Sequence, residues 1–332
     1  MANKKVLILP GDGPGPSVIS AAEKVIRAAA PGVDLIHGEI GNVAYEHTSK
    51  ALPASTMDMI STSDAILSGP ADMSLIDGRD PIADIKRQMH LFAEVQEFRP
   101  LAGYLADRDV DILLVSHCVD AVSSVRESEG LDGVVSELDT DDDALSELFT
   151  SCMHIAEVTG RMKICLVRGM GLFESSERHM LDSFHSHFAT SEFSVEDMSA
   201  EKAACLLQMV PETFDVVVSG TTTSQYLRGL LSGMIGGSGI SPVAYLGERK
   251  GLFMPSRTFG SMNESRPWNP TSAILAGSEM LRYMGFGVEY SAIQKAVSDM
   301  YESGLTTSDI GEGHLSPDEF TQGVIDRIRE QQ

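Results

Sequence analysis

Three glycines, Gly11, Gly13 and Gly15, follow the apolar run Val6–Leu9 and stand before residues of helical spacing. In such a setting backbone N–H groups cradle phosphates. The dinucleotide fingerprint needs its third glycine where this chain carries Pro16, so the stretch reads as a tight turn between strand and helix. The acids Asp139, Asp141, Asp142, Asp143 and Glu147 suggest calcium, but the loop pattern would require glycine at Ala144 and glutamate at Thr150. Acids ahead of Leu145 to Val158 suit instead the positive end of a helix. His185 and His187 would point about 200° apart on a helix, so with His179 they read as surface histidines rather than metal ligands. His117 and Cys118 are adjacent at a strand end, where parallel α/β sheets place ligands, and form a candidate reactive pair. Neighbouring His and Cys more often arise without chemistry.

These residues need elements to hold them. Val6–Leu9 is a continuous apolar run of the kind buried in a parallel sheet, and Val18, Ile19, Ala22, Val25, Ile26 and Ala29 repeat at helical spacing behind Pro16. Further strands are expected at 64–67, 111–115, 163–167 and 214–218, separated by segments long enough for crossover helices. Helices are expected over 203–209 and 272–283 and in the tail, where Ser316 three residues before Glu319 makes a capping box. The fold class is therefore α/β with a mainly parallel central sheet.

At 332 residues the chain is long enough for one large or two medium domains. Its 48 acidic against 25 basic residues give a formal charge of −23, which repels nucleic acid and anionic membranes. A salt-rich cytosol would select such a surface, although acidity of this kind also arises without one. The four cysteines have no CxxC spacing and read as reduced, mostly buried thiols, and the early apolar run is too short for a signal or a membrane span. A cytoplasmic protein without nucleic-acid or membrane partners is expected.

Several stretches taken together resemble the isocitrate and isopropylmalate dehydrogenases, the NAD(P)-dependent β-decarboxylating family. Leu9 to Pro16 is similar to the LPGDGIGP opening of that family, and Leu91-Phe92-Ala93 with Arg99-Pro100 to its LYANxRP segment with two extra residues. Pro211 to Val216, Gly236 to Pro242, Asn269 to Leu275 with Leu281-Arg282-Tyr283, and Thr306 to Asp309 resemble its PxxFDV, GGxGxxPS, NPTAAIL…LRY and TxD motifs in the family order. The resemblance implies an isopropylmalate-dehydrogenase-like fold of two domains. Residues 1–100 plus 250–332 would make a large α/β domain holding both termini, and 101–249 a smaller α/β domain with the dimer interface. The clasp of the family would fall near 119–138, and the apolar stripe Leu227, Leu230, Leu231, Met234 and Ile235 would be the interface helix.

The catalytic positions that the resemblance carries over are substituted. The arginine clamp falls on Lys86, on Gln96 or Arg99, and on the Ser116-His117-Cys118 stretch, and the tyrosine falls near Ser123. The lysine falls on Gly169, beside Arg168, and the metal aspartates fall on Glu201, Gln225 and Gly229. A degenerate homologue acting as a ligand-binding or regulatory subunit is therefore expected. The alternatives are a repurposed enzyme using the interdomain cleft on a small anionic substrate and, third, an NAD-dependent dehydrogenase of a small 2-hydroxy acid. Lys86, Arg87, Arg99, Ser116, His117 and Arg168 are the candidate anion-binding residues. Gly260, Ser261, Glu264 and Asn269 resemble the adenosine end of the cofactor site, so NAD or another adenine nucleotide is the cofactor to test, while Mg²⁺ or Mn²⁺ is not expected. A homodimer, or a heterodimer with a catalytic relative, and a small anionic ligand are the implied partners.

Overall fold

Two sets of parallel strands share one sheet but run in opposite directions. The computed structural model describes residues 4–72, 80–118, 125–130, 133–138, 141–169, 171, 174–256, 268–310 and 312–331. One set is β1 (Lys5–Leu9), β2 (Asp34–His37), β3 (Ala65–Ser68) and β12 (Gly251–Pro255), and the other is β5 (Ile112–His117), β8 (Lys163–Arg168), β9 (Ser194–Ser199) and β10 (Val216–Ser219). Between them lie β4 (Ala93–Phe98) and β11 (Pro242–Leu246), giving the order β2-β1-β3-β12-β11-β4-β5-β10-β8-β9. β11 is antiparallel to both its neighbours, and so is β4. The remaining pairs are parallel.

Side-chain alternation sends each strand's residues to two faces, and the register extends each face across the sheet. On the back face, Val6, Ile8 and Phe253 pack under α1 (Gly15–Ala29), α9 (Thr271–Tyr283), α10 (Gly287–Glu302) and α11 (Pro317–Glu330). At the other end of that face, Val95, Leu113 and Val216 pack under α5 (Asp142–Thr159) and α6 (Glu174–Phe188). The front face carries Leu7, Ile66 and Leu252 near α2 (Gly41–Thr48), α3 (Ala54–Thr62) and α4 (Pro81–Gln88). α7 (Ala200–Met209) and α8 (Thr221–Met234) accompany β5, β8 and β10. Outside the main sheet, β6 (Val125–Gly130) and β7 (Gly133–Leu138) form an antiparallel hairpin whose Val134 and Val135 are exposed.

The local signals resolve as physical chemistry dictates. Asp141 caps α5 by accepting the Ala144 N–H, with Asp142 and Asp143 in the first turn, so the acidic patch is a helix start. Ser316 and Glu319 make the reciprocal capping box of α11. A side chain on Gly11 would collide with the Pro70 carbonyl and one on Gly15 with the Pro10 carbonyl, so these glycines serve close backbone packing. Asp12 accepts N–H bonds from Asn42 (2.8 Å), Val43 (3.1 Å) and Asp72 (2.8 Å), tying the turn to α2 and to the segment after β3. Cys118, Cys152 and Cys165 are buried thiols and Cys205 is exposed. The stripe on α8 is a correction to the interface reading: Leu227, Leu231 and Ile235 are buried in the chain's own core, and Leu230 and Met234 pack against it.

One guanidinium ties the central strands together at the end where β5 begins. Arg161 is buried and donates to Asp111, to Asp215 (2.9 Å) and to Glu97 (3.2 Å) on β4. Replacing Arg161 with Met takes the shared cation from three carboxylates, of which Asp111 is half exposed and can be solvated, and losing such a charged hydrogen-bond partner costs about 1–3 kcal/mol. R161M is expected to lower the urea midpoint accordingly, and an unchanged midpoint would show that the network contributes nothing.

Candidate functional site

β4 and β11 are antiparallel to their neighbours, so no crossover helix joins them to the strands beside them, and a groove opens over them on the back face. The front face carries one transverse row, which is mostly buried. Tyr245 on β11 is the register partner of Glu94 on β4, Glu94 of Ser116 on β5, and Ser116 of Ser219 on β10. Alternation puts all four on the front face. Two helices lean over the row from opposite sides. Lys86 of α4 is buried with its Nζ 3.8 Å from the centre of the Tyr245 ring, a cation–π contact. Arg228 of α8 is ion-paired with Glu94.

One position along, Gln96 of β4 is buried and its amide donates to Ser241 Oγ (2.9 Å), with Ser256 Oγ at 3.4 Å. Ser272 completes this small polar core by donating to the Ser241 carbonyl (3.0 Å) and accepting the Ser256 N–H (2.8 Å). Four buried polar atoms of this face nevertheless make no hydrogen bond: Ser116 Oγ, Ser219 Oγ, Gln96 Oε1 and Arg228 Nε. Buried hydroxyls and amides are nearly always satisfied, so a cluster of unmet ones marks a surface that a ligand or water completes.

The sequence candidates divide on this geometry. Lys86 and Ser116 belong to the front row. Arg87, next to Lys86, pairs with Asp84 (2.8 Å) on the exposed side of α4. Arg99 lies beyond the end of β4, exposed, 3.8 Å from Glu97, and lines the back groove. Arg168 pairs with Asp197 (3.0 Å) on the neighbouring β9. His117 alternates to the face opposite Ser116, where its buried Nε2 lies 3.0 Å from the Ala144 carbonyl. A ring so held is a neutral N–H donor closing the start of α5, which corrects the reading of His117 as a reactive group facing the cleft. Its neighbour Cys118 packs in the apolar cluster of Leu91 and Tyr245. Gly260, Ser261 and Glu264 lie outside the described residues. Asn269 bonds the Thr271 N–H (2.9 Å) through Oδ1 and reaches Asp309 (3.3 Å) and Tyr301 (3.4 Å) through its amide, bringing two distant motifs together.

Other positions singled out in the sequence fall near α8. Gln225 and Gly229 lie on its exposed side, and Glu201 is exposed on α7. Gly169 sits where any side chain would meet the Glu177 carboxylate, with Thr223 Oγ1 3.3 Å from the place of its Cβ. Among the described residues, no three His, Cys, Asp or Glu side chains stand together as a metal ion would require. Glu94, Arg228, Tyr245 and Ser219 went unnoticed in the sequence. The alternating Ala93–Phe98 run was the available signal for a strand with one polar face.

This architecture and the motif order have a known counterpart. The chain belongs to the isocitrate/isopropylmalate dehydrogenase family, whose sequence profile matches residues 5–327. It is similar to the 3-isopropylmalate/3-methylmalate dehydrogenase of Methanocaldococcus jannaschii, with 26% identity over 98% of this chain and 99% of the relative. The isocitrate/homoisocitrate dehydrogenase of Thermus thermophilus is likewise 26% identical, over 98% of each chain. Among solved structures, isocitrate dehydrogenase from Methylococcus capsulatus superposes with a TM-score of 0.88 at 23% identity, covering 98% of this chain and 99% of the other. That last likeness establishes the α/β fold. Among the described residues no helix is long and apolar enough to cross a membrane.

The burial of His117 has a measurable consequence. Desolvation holds its pKa below the ordinary value, against smaller opposing effects of the Ala144 carbonyl and the Asp141 and Glu147 charges. The unfolded chain therefore takes up this proton first as pH falls. The stability that neutral His117 supports is present above about pH 6.5 and is lost as pH drops below it toward the depressed folded value. Between pH 7.5 and 5.5 the H117Q variant should lose less stability than the parent in urea titrations. Equal losses would mean that His117 titrates normally.

Proposed function

We propose that the chain is a ligand-binding or regulatory relative of the dehydrogenases that takes a small anionic ligand in a front groove, over the buried polar row between α4 and α8, and does not carry out metal-dependent oxidative decarboxylation. The donor set of that groove carries the reading. At the positions that the resemblance assigns to metal aspartates stand Glu201, Gln225 and Gly229, and one carboxylate is a poor site for Mg²⁺ or Mn²⁺. These residues do not fit the metal, so no step is routed through it. Gly169, at the position of the lysine, has no side chain to receive a proton and abuts Glu177. What the groove retains suits binding: the cations of Lys86 and Arg228, and the unmet hydroxyls of Ser116 and Ser219. Arg228 already pairs with Glu94, so an anionic ligand would share that guanidinium.

An adenine nucleotide is the second ligand we propose, supported by the meeting of Asn269 with Asp309. The resemblance assigns Glu264 to the ribose hydroxyls, where a carboxylate favours a free 2′-hydroxyl over a 2′-phosphate, so NAD or ADP should bind in preference to NADP. For assembly we propose pairing with a second copy or a catalytic relative through the β6–β7 hairpin, since a two-stranded ribbon is marginal alone and exposes Val134 and Val135.

The purified protein should reduce no NAD with isocitrate, isopropylmalate or malate in the presence of Mg²⁺ or Mn²⁺. Chelator-sensitive turnover near about 1 s⁻¹ with any of them would overturn the proposal. In thermal-shift measurements at least one small di- or tricarboxylate should raise Tm, and K86A or R228A should remove that shift. A flat response across the panel would rule out an anionic ligand. Light scattering at micromolar concentration should report a dimer, with V134D/V135D moving it toward monomer; a monomeric parent would refute the assembly.

A further inference from the structure

The second groove lies on the opposite face of the same strands, between α5 and α9, and encloses about 730 Å³. That is the scale of a small-molecule site. Its floor is apolar, with Val95, Leu113 and Phe253 each buried below it. Its charges are unbalanced. Four carboxylates line it, Glu97, Glu147, Glu248 and Glu279, against the two guanidiniums of Arg99 and Arg282.

These groups divide between the two ends of the groove. Near the end of β4, Arg282 is held to Glu279 at 2.5 Å and stacks over the Tyr290 ring at 4.8 Å, and Glu97 stands by Arg161 (3.2 Å), Arg99 (3.8 Å) and Arg282 (3.9 Å), so the carboxylates there are matched by guanidiniums. At the opposite end, where the β11–β12 turn meets the start of β4, Glu248 is exposed at the rim and Glu147 faces the His90 ring at 3.0 Å, so the excess of negative charge lies there.

We infer that this back groove binds an amphipathic organic cation, an alkyl or aryl amine whose apolar body lies on Val95, Leu113 and Phe253 and whose ammonium meets Glu147 and Glu248. Charge complementarity selects the class. A fatty carboxylate of the same shape would add to an existing excess of negative charge, and a neutral alcohol would leave that excess unmatched. The aromatic faces of Phe92, Phe253 and Tyr283 suit an ammonium as well as a hydrocarbon. The groove shares no lining side chain with the front row, so the two sites are separable by mutation.

The test is calorimetry on the full chain with three probes of equal length: octylammonium, octanol and octanoate. Octylammonium is expected to bind at submillimolar concentration, at least about tenfold more tightly than octanol, with no binding of octanoate. Ser151 is half-buried in the α5 wall, and S151W should fill the groove and abolish binding while leaving Tm near that of the parent. The rim variant E147Q/E248Q, which alters no core residue, should weaken octylammonium several-fold and reduce its salt dependence. R228A should leave it unchanged, which separates this site from the front groove. Equal affinity for octanol, preference for octanoate, or no binding of any probe would overturn the assignment. So would insensitivity to both S151W and E147Q/E248Q.

Discussion

Strand direction in the middle of the sheet governs the rest of the molecule. A parallel pair demands a crossover, and the crossover helix covers the strands it joins. β4 and β11, each antiparallel to both its neighbours, escape that demand, and β11 reaches β12 through a short turn closed by the Gly247 N–H on the Lys250 carbonyl. The helices therefore gather over the two parallel sets. The central strands present Glu94 and Gln96 to a buried polar row on one face and Val95 and Glu97 to an open groove on the other.

Alternation along a single strand thus feeds two chemically different surfaces. On the front, the row from Tyr245 to Ser219 is polar, buried and incompletely hydrogen-bonded. On the back, the floor is apolar and the charge lies at the margin. The partition explains why neighbouring residues such as Ser116 and His117 have unrelated surroundings. One stands in the buried front row, and the other closes the start of α5 through the Ala144 carbonyl.

How much of this could be read from sequence depends on how each strand is covered. Strands buried on both sides, such as Val6–Leu9 and Ile164–Val167, appear as unbroken apolar runs and were legible to within a residue or two. Asp64 was expected within β3, yet it precedes the strand and accepts the Lys5 N–H, a bond that no periodicity reveals. β4 mixes polar and apolar residues because its two faces meet different surroundings, and β9, at the sheet edge, is mostly polar, so neither stands out as a hydrophobic segment, while β11 is apolar but only five residues long. The helical stripe from Leu227 to Ile235 was plain, but periodicity gives a face without saying what it covers. The site was legible only in part, since which strand face a residue occupies follows from register, and register joins segments far apart in the chain.

The arrangement of the chain ends bears on how the protein is made. β3 pairs with β12 across nearly two hundred residues, and α1 packs against α9 and α11, with Lys24 reaching Asp318 at 3.1 Å. Contacts of such sequence separation carry a large loop-closure cost and form late. During synthesis on the ribosome, β1, β2 and β3 emerge with α1 over their apolar back face, and that cover is completed only when α9 to α11 follow. The set β5, β8, β9 and β10 can meanwhile gather its own helices, so the middle of the chain is placed to fold first and the two ends to close around it afterwards.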